Sequence, residues 1–218
     1  MLALLHARHS CRAFLASELP RTTIEEIVAT AGRVPSWCNA QPWHVTVANK
    51  TETDRFRAGL EAQAQSADTA SDIPFPASYT GVHKARRADC GWQLYDAVGI
   101  AKGDRAASAR QMMQNFSLFG APHVALVTCP KELGAYGILD CGAFVTAFTL
   151  AAQARGIASI PQAAVAGFSP FVRDFFGVPD ERDVLCVISF GLEDKSHPAN
   201  SFRTRRADLA EIMEWKEQ

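Results

Sequence analysis

The stretch Ile138-Leu-Asp-Cys-Gly-Ala-Phe-Val-Thr-Ala-Phe-Thr-Leu-Ala-Ala-Gln-Ala-Arg155 decides the fold, because it is apolar around nearly its whole circumference. A helix that is apolar on most faces is buried on most faces. The stretch therefore predicts a central helix, in the core or at a contact between subunits. Gly156 follows directly and supplies the left-handed residue at which such a helix ends.

The segments on either side predict an α+β protein. Apolar runs at Pro122–Thr128 and Val184–Gly191 predict core strands, and the alternation in His44–Ala48 predicts another strand. Helical patterns outnumber these strands, and the strands lie far apart in sequence, which favours α+β over regular βαβ alternation. The helices are predicted at Thr22–Gly32, where Thr-x-x-Glu indicates a capping box, and at 51–63, 84–101, 104–117, 169–177 and Leu209–Trp215.

The bulk composition indicates one globular domain over residues 1–218. Hydrophobic residues make up 48% of the chain and charged residues 21%, which is enough apolar material for a core. The net charge is −1 and the basic residues form no long run, so nucleic-acid binding is not predicted. We expect a cytoplasmic protein, because we find no signal segment and no apolar run of about 18 residues that would span a membrane.

The cysteines and histidines predict neither disulfides nor a metal site. The six cysteines are scattered and mostly have apolar neighbours, so we expect buried free thiols in a reducing compartment. The six histidines lack the His-x-x-x-His spacing, and no Cys-x-x-Cys pair occurs.

Two clusters near the chain ends could bind an anion. Arg8-His9-Ser10-Cys11-Arg12 has two arginines and a hydroxyl that could hold a phosphate, although such a pair is more often a solvated helix face. Phe202-Arg-Thr-Arg-Arg206, taken alone, is more often surface charge.

Two further clusters could meet a flat ligand. Pro35-Ser-Trp-Cys-Asn-Ala-Gln-Pro-Trp43 is a stiff polar loop that could bond a heteroaromatic edge, or a plain turn from helix to strand. Gly156-Ile-Ala-Ser-Ile-Pro-Gln-Ala-Ala-Val165 is predicted to be a turn of small residues. It either lets a ligand approach backbone N–H groups or serves helix packing.

The order of these four clusters is more specific than any one of them. Together with Gln114–Pro122 and Asp140-Cys-Gly142, it resembles the pattern of the FMN-dependent nitroreductase family over residues 5–215. The resemblance is nearest to the branch that reduces nitrobenzene and nitrobenzoate.

The resemblance implies a fold and an activity. The fold would be a three-layer α/β/α sandwich with a mostly antiparallel central sheet, in an obligate, interwoven homodimer that holds FMN at its interface. The enzyme would take hydride from NADPH or NADH and reduce nitroaromatics or quinones by a ping-pong mechanism. The flavin N5 would carry the hydride, so no protein side chain is expected to be an obligatory acid, base or nucleophile.

The resemblance also implies how the phosphate end and one edge of FMN are held. Arg8, His9 and Ser10 would meet the phosphate and ribityl chain. Arg203 and Arg206 would close from the other side, with the choice among these two and Arg205 left open. Arg12 would lie near N1 and the C2 carbonyl, where a cation favours the reduced ring.

The remaining implied contacts surround the ring. Asn115 would meet its polar edge, a backbone N–H in the turn beneath it (that of Ala163) would bond N5, and Cys38 would face the substrate as a wall. The partner-subunit loop would supply Pro35, Ser36, Trp37 and Asn39, and the turn would consist of Pro161, Gln162, Ala163 and Ala164. Some relatives carry an acidic residue and a glycine at 163 and 164, so the surroundings of N5 differ in detail here.

Residues 64–82 are rich in Ser, Ala, Asp and Pro and predict a mobile excursion. With the following helix, to about residue 110, they would form a lid that sets substrate choice. Exchanging this segment with that of a relative is expected to change substrate preference and leave FMN content unchanged. Other reactions on the same flavin fold, such as reductive dehalogenation or azoline oxidation, and a non-catalytic flavin-binding module remain alternatives.

Overall fold

The computed structural model describes residues 1–66, except the side chain of Ser66, and 68–217. The described helices are α1 (Leu2–Ala7), α2 (Arg21–Ala31), α3 (Lys50–Ser66), α4 (Gly81–Ala97), α5 (Arg105–Met113), α6 (Gly134–Ala154), α7 (Ala163–Ala166), α8 (Ser169–Phe176) and α9 (Leu209–Ile212). The strands are β1 (His44–Ala48), β2 (His123–Pro130), β3 (Ala158–Gln162) and β4 (Arg182–Gly191).

The strands form one sheet in the order β1-β2-β4-β3, and every neighbouring pair is antiparallel. β2 and β4 lie in the middle, so their side chains are buried on both faces. Beyond β3, Ser10 makes an isolated parallel bridge with Ser159, and the Cys11 N–H donates to the Ser159 carbonyl at 3.2 Å. The N-terminal segment therefore reaches the sheet at its β3 edge.

Helices cover both faces of the sheet. Successive strand residues point to opposite faces, so Ala125 and Val127 of β2 pack under α2 and α6, and Val124 and Leu126 pack under α3, α7 and α8. Each face has its own apolar cluster, centred on Phe144 and Phe148 on one side and on Phe56 and Leu60 on the other. The expected α/β/α sandwich is confirmed.

The apolar stretch Ile138–Arg155 lies almost entirely in the core helix α6. Phe144 stacks on Trp43 with ring centroids 5.5 Å apart, and Phe148 meets Phe190 of β4 edge-on at 5.4 Å. Its N-terminal half keeps an exposed apolar face, with Tyr136 65% and Leu139 67% exposed.

The expectation that no apolar run is long enough for a membrane span is wrong. Residues Lys131–Ala154 are long and apolar enough to cross a membrane by length and composition. One such helix is weak evidence for a membrane span, because a core helix can have the same length and composition. α6 packs on the sheet, and its phenylalanines are fully buried.

Residues 158–162 are a correction to the sequence analysis. They were expected in a turn of small residues, and they form strand β3, paired with β4 from Ala158↔Gly191 to Gln162↔Val187. Pairing with a distant strand overrides the weak local preference of Ala and Ser. Pro161 is tolerated because β3 is the last strand of the sheet. Gly156 has φ of +71°, as the predicted helix end requires.

Helix ends were predicted less well. α2 begins at Arg21 after Pro20, so the expected Thr-x-x-Glu cap is wrong, and no side-chain cap bond is present there. The capping box occurs instead at Asp208 and Glu211 of α9, which ends at Ile212 rather than at Trp215. α4 spans Gly81–Ala97, so it begins three residues before and ends four residues before the expected range of 84–101. α5 ends at Met113 rather than at 117.

The cysteine prediction holds for four of the six thiols. Cys11, Cys129, Cys141 and Cys186 are buried, whereas Cys38 is exposed and Cys90 lies between these classes. Burial raises the pKa of the Cys11 thiol to about 11 and that of the Cys186 thiol to about 12, so these two stay protonated.

Candidate functional site

The two arginine clusters from opposite chain ends meet at one cavity of about 290 Å³. It lies between the segment that follows α1 and the segment that precedes α9, and Cys90 of α4 lies on its wall. Among the described residues that line it, none is acidic. The lining residues are Leu5, His6, Arg8, His9, Ser10, Arg12, Cys90, Phe202, Arg203, Thr204 and Arg206.

Arg8 and Arg206 repel each other across this cavity. The pKa of Arg8 is lowered first by burial and second by the positive charge of Arg206. Arg206 uses its Nη1 only for main-chain and hydroxyl oxygens within its own loop, including Thr204 Oγ1 at 2.7 Å. Two guanidinium groups held close without a carboxylate between them favour a bound anion, because an anion relieves both their repulsion and their desolvation.

Arg12 is a third cation without an acidic partner in the described chain. Burial lowers the pKa of its guanidinium. Its Nη1 donates to the Ser10 carbonyl at 3.2 Å, and its Cζ lies 5.6 Å from the centre of the Phe202 ring. The Arg12 backbone is fixed separately, because its N–H donates to Asn200 Oδ1 at 2.7 Å. A buried cation with so little compensation is expected where a ligand carries or develops negative charge.

His9 lies at the edge of the cavity and is tied to the body of the protein. Its Nε2 is 3.1 Å from Glu193 Oε1. Burial and the charge of Arg203 lower the pKa of His9 more than Glu193 and the Ala7 carbonyl raise it. The ring is therefore neutral at pH 7, and Glu193 positions it without placing a carboxylate on the cavity wall.

The structure separates the three arginines of the C-terminal cluster. Arg203 and Arg206 line the cavity, whereas Arg205 pairs with Asp89 of α4 at 2.5 Å. Arg203 donates to the carbonyls of Asn200 and Phe202 at 2.8 Å, which orients its side chain.

A second cavity of about 500 Å³ adjoins the first and shares Leu5, His6, Arg8 and Arg206 with it. Pro161 of β3 and Val145, Thr146 and Thr149 of α6 line its other side. The arginine cavity therefore opens toward the end of β3, where α7 begins with the exposed residues Ala163 and Ala164. Gln162 gives α7 no side-chain cap bond, so the first N–H groups of this helix are available to a ligand.

The Gln162 side chain faces inward, away from any ligand. Its Nε2 donates to the Asn115 carbonyl at 2.8 Å, and its Oε1 accepts from Ser189 Oγ at 2.5 Å. The Asn115 side chain donates to the Met112 carbonyl at 2.9 Å. Gln162 thus links the end of β3 to the segment that carries Asn115, and only its backbone can meet a ligand.

The loop Pro35–Asn39 lies on a different surface and lines neither cavity. Cys38, Asn39 and Gln41 have φ of 50°, 56° and 49°, in the left-handed region that non-glycine residues rarely adopt. Such a conformation costs on the order of 1 kcal/mol or more per residue and persists only where contacts impose it. Cys38 is exposed, as a residue facing a substrate would be.

Three contacts impose this loop conformation. The Trp37 N–H donates to Asp140 Oδ2 of α6 at 3.0 Å, and the Gln41 N–H donates to Ser36 Oγ at 2.9 Å. Trp37 packs against Tyr136 of α6 with ring centroids 5.5 Å apart, and 68% of its surface stays exposed. Asp140, part of the Asp-Cys-Gly motif, therefore acts as the loop's anchor.

Sequence reasoning missed Asn200. This buried side chain accepts from the Arg12 N–H and donates at 2.9 Å to the carbonyls of Ala13 and Asp194. It joins the N-terminal arginine segment to the C-terminal one. No local pattern marks it, because its partner Arg12 is 188 residues away.

A cluster of cations without an acidic neighbour is suited to a phosphate-bearing group rather than to a metal ion. Within residues 1–66 and 68–217, no group of three His, Cys, Asp or Glu side chains could hold a metal ion.

The sequence profile of the nitroreductase family matches residues 5–192. Nitroreductase NfnB of Mycolicibacterium smegmatis is 35% identical over 209 residues, which cover 95% of this chain and 89% of that protein. The 4-nitrobenzoate reductase of Pseudomonas putida is 32% identical, over 94% of this chain and 90% of that protein.

Structural similarity agrees with the sequence match. The crystal structure of the FMN-dependent nitroreductase NfnB from Mycobacterium smegmatis, in complex with NADPH, aligns with a TM-score of 0.94 at 34% identity. The alignment covers 99% of this chain and 97% of that one. The chain belongs to the nitroreductase family, so the expected family, fold and oxidoreductase class are confirmed.

Proposed function

We propose that this protein is an FMN-dependent oxidoreductase that passes electrons from NADPH or NADH to nitroaromatics or quinones by a ping-pong mechanism. The observation that carries the proposal is the arginine cavity, in which both chain ends present cations and no described lining residue is acidic. Its relatives, an FMN-dependent nitroreductase solved with NADPH and a 4-nitrobenzoate reductase, support this cofactor, donor and acceptor.

The residues present fit FMN. Arg8, Arg203 and Arg206 bind the phosphate, because guanidinium groups make strong charge-assisted bonds to phosphate oxygens. The Ser10 hydroxyl and His9 lie beside them on the cavity wall and serve the phosphate and the ribityl hydroxyls. The Nε2–H of the neutral His9 ring donates to the Glu193 carboxylate, so Nδ1 is left to accept from a ribityl hydroxyl.

Arg12, on the wall of this cavity, and the turn at Pro161–Ala164 would hold the ring of FMN. Arg12 would supply a fixed cation for the N1 and C2 carbonyl edge, and the Ala163 N–H would donate to N5. Asn115, linked to the same turn through Gln162, serves the remaining polar edge. When bound, FMN supplies the two-electron transfer between donor and acceptor, and the protein supplies binding, orientation and charge.

We propose an obligate homodimer as the working assembly, with FMN between the subunits. Apolar side chains that a monomer leaves exposed support it. They are Leu2, Trp37, Tyr136, Leu139, Leu209, Ile212 and Trp215, each more than 60% exposed. The Pro35–Asn39 loop, with Cys38, would serve the partner's FMN, which fits its position outside the arginine cavity of its own chain.

Interweaving is supported by an open sheet edge. β1 has β2 on one side only, and a groove of about 930 Å³ runs beside it between α2 and α3. The backbone becomes extended again at Met213, after α9. In the interwoven dimer the C-terminal segment, through the exposed Ile212, Met213 and Trp215, covers a surface of the partner. The holoenzyme should then elute with twice the mass of one chain, and a monomer that retains FMN would contradict this assembly.

We further propose that the protein is cytoplasmic and has one domain over residues 1–218. Residues from about 64 to 110 would form a lid over the site. Ala67, within this segment, lies outside the described residues. None of the residues of α4 in this segment is buried.

The test of the proposed function is anaerobic reduction of the purified yellow protein. We expect NADPH or NADH to bleach the flavin absorption near about 450 nm, and 4-nitrobenzoate or a quinone to restore it. Bleaching by neither nucleotide, or bleaching without recovery by either acceptor, would contradict the proposal. A protein that binds flavin and does neither would be a non-catalytic flavin module.

A further inference from the structure

The segment that leads into α4 is clamped to the body of the protein at Asp72. Its carboxylate accepts from Arg173 Nη2 of α8 and from the Val184 N–H of β4, both at 2.7 Å. Both side chains of the ion pair are only 16% exposed, so solvent screens the pair weakly. The segment 64–82, predicted as a mobile excursion, is therefore fixed to the body of the protein at Asp72.

A second set of contacts fixes the same segment beside α7. The Ala70 N–H donates to the Gly167 carbonyl at 2.7 Å, and Ala70 forms a parallel bridge with Phe168. The Asp72 N–H lies 3.3 Å from Ser169 Oγ. Gly167 follows α7 directly, so these bonds place the segment next to the helix that begins at Ala163.

Phe75 lies three residues after the clamp, in the sequence Ile73-Pro-Phe-Pro76. Pro76 restricts Phe75 to an extended backbone, and Pro74 restricts the residue before it in the same way. The ring is therefore presented on a stiff stretch of chain. Its side chain is 48% exposed, so part of the ring face is open to a ligand.

The ring stands beside α7. A Cβ atom at Gly167 would lie 3.6 Å from Phe75 Cε2, an ordinary contact distance, so the ring lies close to the Gly167 backbone. Gly167 is four residues from Ala163, which corresponds to about 6 Å along a helix. Ala163 and Ala164 are exposed at the other end of α7. A half-exposed aromatic ring thus stands beside the C-terminal end of α7, whose other end carries the proposed N5 contact.

We propose that Phe75 is a wall of the acceptor site and binds planar aromatic acceptors by ring contact, with Asp72 as the positioning residue that holds it there. The inference rests on the proposed function and assigns the acceptor specificity to one side chain. Aromatic pairs contribute about 0.5–1.5 kcal/mol beyond burial, which corresponds to roughly 2- to 10-fold in affinity.

The experiment isolates reoxidation, so that any role of Phe75 toward the nicotinamide does not interfere. The holoenzyme is reduced with dithionite without oxygen and mixed in a stopped-flow instrument with 4-nitrobenzoate or with ferricyanide. Ferricyanide accepts electrons without ring stacking and is the control acceptor. The variants are Phe75→Leu, which keeps apolar bulk, Phe75→Trp, which keeps an aromatic face, and Asp72→Asn.

For Phe75→Leu we expect the 4-nitrobenzoate concentration at half-maximal rate to rise about 5- to 10-fold. Phe75→Trp should stay within about twofold of the unmodified protein. Asp72→Asn should produce part of the rise, because it removes the charge that holds Arg173. FMN content and the ferricyanide rate should not change in any variant.

Three results would overturn the inference. They are an unchanged 4-nitrobenzoate response in Phe75→Leu, an equal loss with both acceptors, and loss of FMN from that variant. An unchanged response in Asp72→Asn alone would remove its positioning role. Failure of the proposed function itself is recognised separately, because the unmodified protein would then not be reoxidised by 4-nitrobenzoate at all.

Discussion

Replacing Arg8 and Arg206 together with glutamine should weaken FMN binding by about 10²- to 10⁴-fold. A hydrogen bond to a charged group contributes about 1.5–3 kcal/mol, and each 1.4 kcal/mol corresponds to tenfold in affinity. The effects of the two single substitutions on FMN affinity should not be additive, because both guanidinium groups line one cavity and repel each other when no anion is bound. The measurement is a titration of the apoprotein with FMN, followed by flavin fluorescence.

Arg205→Gln is the matched control for this double variant. It removes an arginine from the same short segment, but one whose side chain is 79% exposed and paired with Asp89. Exposed ion pairs contribute about 0–1 kcal/mol, so FMN affinity should stay within about fivefold of the unmodified value. Equal losses in Arg205→Gln and in the double variant would mean that general positive charge, and not the cavity, binds the phosphate.

Arg12→Gln should slow the reduction of bound FMN by NADPH by roughly 10²-fold and lower the reduction potential of the flavin. A fixed cation in a water-poor site stabilises the state with more negative charge, and removing one such group from an enzyme costs about 10²–10³ in rate. Arg12 is suited to this role because it is largely buried and has no acidic partner in the described chain. Anaerobic stopped-flow reduction and a spectroscopic redox titration give the two quantities.

Arg12→Lys is the conservative comparison, because it keeps the charge and loses the planar fork. It should recover most of the rate that the glutamine variant loses. The glutamine variant should retain FMN, since the phosphate contacts remain, and its apoprotein should be no less stable, because an uncompensated buried cation is removed. An unchanged reduction potential in Arg12→Gln would contradict the role assigned to this side chain.

α6 and β3 show most clearly which secondary structure the sequence predicts and which it does not. The helix was predictable because its length of continuous apolar sequence and its glycine end are local signals, and both are present in 138–156. The strand was not, because Ala158–Gln162 is stabilised by pairing with residues 187–191 rather than by its own residues. The order of the four motifs indicated the family even though one of them had been assigned the wrong local structure.

The candidate site shows the same difference between local sequence signals and contacts with distant residues. The arginines were identifiable by residue type and order, but only the tertiary structure distinguishes Arg206, on the cavity wall, from Arg205, in an ion pair. The inward-facing amide of Gln162 and the link made by Asn200 depend on partners far along the chain. The left-handed backbone at Cys38 and Asn39 was also hidden, because neither residue type requires it.

The most direct test of the account is a comparison of FMN with riboflavin, which lacks only the phosphate. If arginines from both chain ends hold that phosphate, the apoprotein should bind FMN at least about 100-fold more tightly than riboflavin, and the double Arg8 and Arg206 variant should lose most of this difference. Equal affinity for the two flavins, or no binding of either one, would contradict the account.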